Sequence, residues 1–159
     1  MDIVLRDLET GDVDWLVQQH GVQYAQAEGF DDSFGLLVAE ILAVYGRERD
    51  PSCERAWIAV CDGQRLGSIF CVRQDEQTAK LRLFLLVPEA RGKGLGKRLL
   101  AECMGYARAR GYLRMALWTH ESHRAACALY AATGWRLISS GPVHSFGVDL
   151  VEQAWEIDL

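Results

Sequence analysis

The chain has 159 residues, of which 50% are hydrophobic and 25% charged, and it carries a formal net charge of −5 at pH 7. These values predict one soluble globular domain spanning residues 1–159, and no apolar run approaches the length of a membrane span. The negative charge argues against a nucleic-acid partner, which binds to basic faces, and suits a cationic amine better.

The first part of the chain predicts a strand followed by two helices. A short apolar run at Ile3–Leu5 indicates a strand, and apolar residues at helical spacing begin at Val13 behind a capping cluster. A second amphipathic pattern covers Phe34–Tyr45 behind the acidic residues Asp31 and Asp32, which suit a helix N-terminus. A β-α-α beginning is therefore expected.

Three strands should follow. The runs AWIAVC and LGSIFCV are joined by Asp62-Gly63, a dipeptide typical of a tight hairpin. A third run covers Ala79–Val87, and from Leu83 onward it is apolar on both faces. A strand covered on both sides is central in its sheet.

The remaining chain predicts a β-α-β crossover and two more strands. A long helix begins at Leu95 and stops at Gly111, and a second one ends at Gly134. The strands of this part are expected at Leu113–Thr119, Trp135–Ser139 and Gln153–Leu159. The element order is β-α-α-β-β-β-α-β-α-β-β, a mixed α/β arrangement.

The stretch VPEARGKGLGKRLL, residues 87–100, has the composition of an anion site. Its glycines follow a strand and precede a helix, so backbone amides at the helix N-terminus can point at a ligand. A Walker loop is excluded because Gly96-Lys97 is followed by Arg98 rather than Ser or Thr. A dinucleotide fingerprint is excluded because the spacing is GxGxG and the preceding strands are antiparallel.

Two motifs resemble the GNAT superfamily of N-acetyltransferases. Arg91–Gly96 matches the (Q/R)xxGx(G/A) signature, and downstream Tyr130 is followed four residues later by Gly134 and Trp135. The resemblance implies the GNAT fold, with the sheet splayed between its fourth and fifth strands. Two further segments, HGVQYAQAEGFDDSF and HSFGVDLVEQAWEIDL, look like the acetyltransferase domain fused to MarR-type regulators, here without the winged helix and so without its DNA-binding role.

The resemblance also implies acetyl-CoA as cosubstrate. Backbone amides of the glycine-rich stretch would bind the pyrophosphate, and main-chain groups of the preceding strand would pair with the pantetheine arm. The implied cofactor-binding residues are Leu85, Leu86, Val87, Arg91, Gly92, Lys93, Gly94, Leu95, Gly96, Lys97, His123 and Tyr130. Arg98 would add positive charge, and His123 stands where many members have asparagine.

By the same resemblance, Tyr130 is the general acid that protonates the departing thiolate, and the Val87 N–H is the oxyanion donor. The resemblance does not identify the base that takes the proton of the acceptor amine. Family members often have a glutamate on the strand before the glycine-rich stretch, but Leu81–Val87 contains no acidic residue, and its nearest charges are Lys80 and Arg82. In this fold the acceptor binds between the first two helices and the segment before the last strand, where the candidate bases are Tyr24, Glu28, Asp31, Asp32 and His144. Glu28 and His144 are the leading candidates, and the two aspartates are better explained as helix caps.

The predicted function is acetyl transfer from acetyl-CoA to a primary amine by direct attack in a ternary complex, on a small-molecule or protein acceptor. A non-catalytic acyl-CoA-binding sensor or interaction domain is the alternative. No metal is expected, although His120, His123 and Cys127 share one helical face, and Cys127 is better explained as a packed thiol than as a nucleophile. The chain start lacks signal-peptide features, which predicts a cytoplasmic location; the oligomeric state is open, with a homodimer as one option.

Overall fold

The computed structural model describes residues 2–159 as a seven-stranded sheet between two layers of helices. The strands are β1 (Val4–Asp7), β2 (Arg55–Cys61), β3 (Gln64–Arg73), β4 (Thr78–Leu86), β5 (Arg114–His120), β6 (Arg136–Ser145) and β7 (Val148–Asp158). The helices are α1 (Asp12–Glu28), α2 (Asp32–Glu48), α3 (Leu95–Ala109) and α4 (Arg124–Thr133), with a single 3-10 turn at Pro88–Ala90. This element order is the predicted one, and the mixed α/β fold class is confirmed.

The sheet order is β1-β2-β3-β4-β5-β7-β6, and every neighbouring pair is antiparallel except β4 and β5. The parallel ladder is short, since it pairs only Thr78–Lys80 with Arg114–Ala116. Beyond those residues β4 stays paired with β3 and β5 stays paired with β7, so the two central strands separate. The predicted splay is therefore confirmed; we call the opening between them the gap.

Each face of the sheet carries its own hydrophobic core. On one face α3 packs Leu99 and Leu100 among a cluster that includes Ile69 and Met115 of the sheet. On the other face α1 and α2 bury their apolar stripes against β2 and β3; the residues of this second core are Leu16, Val38, Leu42, Tyr45, Ala56, Ile58 and Phe70. Among residues 2–159, no helix has the length and apolar character needed to cross a membrane.

A buried ionic cluster fixes the start of α1. The Asp12 carboxylate accepts hydrogen bonds from Arg6 at 2.8 and 3.0 Å and from Arg65 at 2.7 Å. Burial by itself would raise the pKa of Asp12, but these bonds and one from the Glu9 amide lower it to about 2. The cluster ties α1 to β1 and β3, and so positions the far end of α1 over the gap.

The last two strands are longer than predicted. The sequence pattern placed them at Trp135–Ser139 and Gln153–Leu159, whereas β6 and β7 form a long hairpin joined at Phe146-Gly147. Residues 140–145 of β6 were missed because β6 is an edge strand with mostly exposed side chains, where Pro142 is tolerated. The second helix is also longer than the predicted Phe34–Tyr45, because α2 runs from Asp32 to Glu48.

A bulge in β4 sets the direction of the strand beside the gap. Leu83 has a positive φ of 47°, and the Ser68 hydroxyl donates a hydrogen bond of 2.7 Å to its carbonyl. Opposite the bulge, Gly67 leaves no room for a side chain, since a Cβ there would lie 2.6 Å from the Leu85 carbonyl oxygen and 2.7 Å from Cδ2 of Leu86. Gly67 therefore allows the close approach of β3 to the bulged segment.

Replacing Gly67 by alanine is expected to destabilise the protein by about 1–3 kcal/mol, because the methyl group would meet backbone that cannot move cheaply. Chemical denaturation followed by circular dichroism measures the change. Gly105→Ala in α3 is the matched control, since a Cβ there meets nothing within 4 Å and should raise stability slightly. Equal stabilities for the two variants would contradict the steric role of Gly67.

Candidate functional site

The peptide groups that face the gap belong to Phe84 and Leu86. The Val87 N–H donates a hydrogen bond of 2.9 Å to the Leu66 carbonyl, and the Leu85 carbonyl also points toward β3. Because successive peptide groups of a strand point to opposite sides, those of Phe84 and Leu86 point into the gap. The expectation that the Val87 N–H is the oxyanion donor is therefore wrong, since this N–H is already bonded, and the Leu85 carbonyl, expected to pair with the pantetheine arm, faces β3 instead.

The glycine-rich stretch forms a turn at the N-terminus of α3. Gly92 and Gly94 both have positive φ, 76° and 81°, a conformation that glycine adopts without strain. Gly94 precedes the first residue of α3, and no side chain caps the helix there. The first amides of α3 are therefore left for a ligand, as expected of an anion site. We call residues 91–94 the glycine turn.

The side chains around the glycine turn divide into packed and exposed groups. Leu95 is buried in the core beneath α3, and Gly96 lies against Leu86 and Leu129, so these two contribute backbone rather than side chains to the surface. Lys93 and Lys97 are exposed beside the turn.

The two arginines of this stretch contact other parts of the protein. Arg91 donates a hydrogen bond of 2.8 Å to the Gln23 side chain, which connects the glycine turn to α1. Arg98 donates to the Ile3 carbonyl at 2.8 Å, away from the turn.

Tyr130 lies on α4 beside the gap and is held there by the end of its own helix. Gly134 ends α4 with a φ of 102°, and the Trp135 amide donates to the Tyr130 carbonyl at 3.0 Å. The Trp135 ring packs 5.5 Å from the Tyr130 ring, and Phe84 of β4 lies 6.4 Å away between centroids. Tyr130 is only 3% exposed, and burial raises its pKa well above the ordinary value. Its phenol is therefore protonated at neutral pH.

The end of α1 meets the start of α4 through Glu28 and His123. Nε2 of His123 lies 3.8 Å from Oε1 of Glu28, and their side chains are 18% and 11% exposed. Nδ1 of His123 lies 3.2 Å from the Thr119 hydroxyl. Burial lowers the pKa of His123 to about 4, although Glu28 acts in the opposite direction. His123 is therefore neutral at pH 7, and burial disfavours its protonated form.

Tyr24 of α1 also packs against His123. Its ring lies 4.7 Å from that of His123, and burial together with Glu28 raises its pKa to about 12. The sequence predicted Tyr24, Glu28 and His123 separately, and the structure brings them together.

An aromatic cluster lies next to these residues, and sequence reasoning missed it. Phe146, at the tip of the β6–β7 hairpin, packs 4.8 Å from Phe30 and 5.0 Å from Phe34, and His120 packs 5.7 Å from Phe30. The hairpin tip is anchored because the Asp31 amide donates to the Phe146 carbonyl at 2.9 Å. An aromatic residue before glycine at a hairpin tip, as in Phe146-Gly147, was the available signal.

The other base candidates do not join this group. The Asp31 side chain accepts from the Ser33 amide and Asp32 lies in the first turn of α2, as expected of helix caps. His144 lies near the end of β6, before the last strand as expected, is 68% exposed, and lies 2.8 Å from Asp149. Its partner is thus on the hairpin and is not Tyr24, Glu28 or His123.

The cysteine and histidines of the shared helical face form no reactive centre. Sγ of Cys127 donates to the His120 carbonyl at 3.6 Å and to the Gln153 side chain at 3.5 Å. Burial raises the pKa of this thiol, so the thiolate is disfavoured. Over residues 2–159, no three His, Cys, Asp or Glu side chains are grouped so that they could hold a metal ion.

Comparisons with known proteins agree with this geometry. A family model described as "Acetyltransferase (GNAT) family" matches residues 14–135. A curated relative, N-acetylaspartate synthetase of Danio rerio, is 31% identical over 102 residues, which are 64% of this chain and only 35% of that protein. The chain thus aligns with about a third of that relative's length.

Two solved structures have the same fold. The ribosomal-protein-alanine N-acetyltransferase from Brucella melitensis superposes with a TM-score of 0.78 at 19% identity, covering 98% of this chain and 99% of the other. A phosphinothricin acetyltransferase from Sinorhizobium meliloti in complex with AcCoA gives a TM-score of 0.78 at 21% identity, covering 100% and 89%. At these identities the likeness shows the fold and does not identify an acceptor.

Proposed function

Because this chain belongs to the acetyltransferase (GNAT) family, we propose that it transfers an acetyl group from acetyl-CoA to a primary amine by direct attack in a ternary complex. The observation that carries the proposal is the gap between β4 and β5, which has the glycine turn at one end and Tyr130 at its edge. Acetyl-CoA supplies the thioester whose acetyl group is transferred.

The residues beside the gap fit this cosubstrate. The glycine turn offers uncapped amides at a helix N-terminus, and a Cβ added at Gly92 or Gly94 would point into open space, so a phosphate can approach the backbone. Lys93 and Lys97 add positive charge beside the turn. The peptide groups of Phe84 and Leu86 face the gap, and apart from a long contact of 3.5 Å between the Leu86 carbonyl and Arg91 they suit hydrogen bonds to an extended amide-containing chain.

The chemistry assigns one role to each group. An N–H of Phe84 or Leu86, in place of the Val87 N–H, polarises the thioester carbonyl. As the C–N bond forms and the C–S bond breaks, the Tyr130 hydroxyl donates its proton to the thiolate sulfur. The ammonium proton of the acceptor passes to the Glu28 carboxylate, directly or through water, because burial disfavours the protonated form of His123, 3.8 Å away.

The kinship with domains fused to MarR-type regulators remains a finer hypothesis that rests on two sequence segments. It adds no DNA-binding role to the proposed function. The acceptors named for similar proteins, which include ribosomal-protein alanine and phosphinothricin, differ from one another and do not select one for this chain.

Thiol release from acetyl-CoA over a panel of amines, together with calorimetric binding of acetyl-CoA, tests the proposal. We expect acetyl-CoA to bind and at least one primary amine to be acetylated, with the product identified by mass spectrometry. Binding of acetyl-CoA without turnover on any amine would instead support a non-catalytic acyl-CoA-binding domain. If acetyl-CoA does not bind, both the acetyltransferase and the acyl-CoA-binding function are wrong.

A further inference from the structure

Two cations, Lys80 and Arg82, lie half-buried on the face of β4 that looks toward α2. Their neighbours Ala79 and Leu81 point to the opposite face, into the core beneath α3. Arg82 lines a cavity of about 260 Å³ between α2, β3 and β4, beside Tyr45. Both cations are therefore taken partly out of water on the same side of the sheet.

Neither cation has a partner within the part of the chain that the structure describes. No carboxylate oxygen among residues 2–159 lies within 4 Å of Lys80 or Arg82. Glu48 and Glu54 line the same cavity, but neither carboxylate lies within 4 Å of Arg82, and the two oxygens of Glu54 accept hydrogen bonds from the amides of Asp50 and Arg73. Burial lowers the pKa of both cations, and Arg82 further lowers that of Lys80, so the unpartnered state is costly.

Two partly buried arginines elsewhere in the protein have a carboxylate partner. Arg6 and Arg65 share the buried carboxylate of Asp12. Lys80 and Arg82 form a half-buried pair of like charges without such a partner among residues 2–159, and an anion from outside would supply it.

The position of the pair relates it to the gap. Lys80 is the last residue of β4 that pairs with β5, and Arg82 is the next one on that face as the strands separate. Phe84, whose peptide group faces the gap, is two residues further, about 7 Å along the strand. Trp118 of β5 lies two residues beyond Ala116, the partner of Lys80, and is 58% exposed.

The glycine turn and Tyr130 lie on the α3 side of the sheet, so the face with Lys80, Arg82 and Trp118 is left for the second substrate. A cationic acceptor such as a polyamine would meet two unpaired positive charges there. A carboxylate would be stabilised by both of them, and the Arg82 guanidinium can bind it through two parallel hydrogen bonds.

We propose that Lys80 and Arg82 bind the carboxylate of the acceptor, which makes the acceptor a free amino acid rather than a polyamine or a simple amine. This inference rests on the proposed function, since it names the substrate class for the same site. The overall charge of −5 favours a cationic substrate, whereas Lys80 and Arg82 place two positive charges on the face proposed for the acceptor.

Matched acceptor pairs test the proposal, for example L-phenylalanine with 2-phenylethylamine and L-leucine with 3-methylbutylamine, alongside L-aspartate, L-glutamate and spermidine. We expect amino acids to have kcat/KM values about 10- to 100-fold higher than their decarboxylated counterparts, the range that a hydrogen-bonded charge contributes. Arg82→Gln and Lys80→Gln should remove this preference by raising KM for the amino acid, with acetyl-CoA affinity and activity on the simple amine unchanged.

Arg136→Gln, which removes an exposed positive charge from the edge strand β6, is the matched control and should leave the preference intact. A preference for spermidine or the decarboxylated amines would overturn the proposal, as would equal losses on both members of a pair in Arg82→Gln. If no amine is acetylated, the proposed function fails, and calorimetric titration of amino acids into CoA-saturated protein decides the inference. Amino-acid binding that is lost in Arg82→Gln would then support the carboxylate site, and absence of such binding would refute it.

Discussion

Tyr130→Phe is expected to lower kcat by about 10²- to 10⁴-fold while leaving acetyl-CoA affinity nearly unchanged. The substitution removes only the hydroxyl group, whose proton the departing sulfur needs, and keeps the ring that packs against Trp135 and Phe84. Because burial raises the pKa of Tyr130, the hydroxyl holds its proton at neutral pH until a strong base forms beside it. Steady-state kinetics with acetyl-CoA and the best acceptor, combined with calorimetric binding, measures both quantities.

Tyr106→Phe provides the matched control. The Tyr106 hydroxyl is buried on α3 and has no hydrogen-bond partner among residues 2–159, and the Tyr106 ring packs against Trp57. Its removal should leave kcat unchanged. A Tyr130→Phe variant that turns over normally would exclude the general-acid role and leave proton delivery to water or to another group.

Gly94→Asp is expected to weaken acetyl-CoA binding on the order of 100-fold. The new carboxylate would lie at the N-terminus of α3, where the uncapped amides and the helix dipole favour an anion, and would repel the pyrophosphate. A change in the dissociation constant of acetyl-CoA, measured by calorimetry at low and high salt, reports this repulsion. The effect should shrink as salt increases, because exposed charges are screened.

Gly94→Asn separates charge from backbone strain. Gly94 has a φ of 81°, which costs any side chain some strain, and asparagine and aspartate tolerate it about equally. The Asn variant should therefore lose only a few-fold in affinity, with the same thermal stability as the Asp variant. Equal affinities for acetyl-CoA in both variants would contradict the assignment of the glycine turn to the pyrophosphate.

The order of helices and strands could be predicted because each element carries its own periodicity and its own stop signal. The glycine turn and the Tyr130–Trp135 segment were also recognisable, since their geometry depends on local requirements: positive φ at Gly92, Gly94 and Gly134, and a helix that begins or ends beside them. The length of β6 was the exception, because its exposed edge position leaves residues 140–145 without an apolar pattern.

The site was less predictable where it depends on register and on contacts between distant segments. The bulge at Leu83 and the hydrogen bond between Val87 and Leu66 decide which peptide groups of β4 face the gap. A shift of the strand register by one residue would turn the other set of peptide groups toward the gap. That register explains why the oxyanion donor was assigned to the wrong residue.

By itself, the sequence determined the order of helices and strands and the glycine turn, because these follow from short-range patterns, and its resemblance to the GNAT superfamily implied the splay. The tertiary structure alone decided that Glu28 meets His123, that Phe146 packs against Phe30, and that no carboxylate among residues 2–159 lies within 4 Å of Lys80 or Arg82. Charge partners and burial are properties of three-dimensional neighbours that lie far apart along the chain, and no local pattern encodes them.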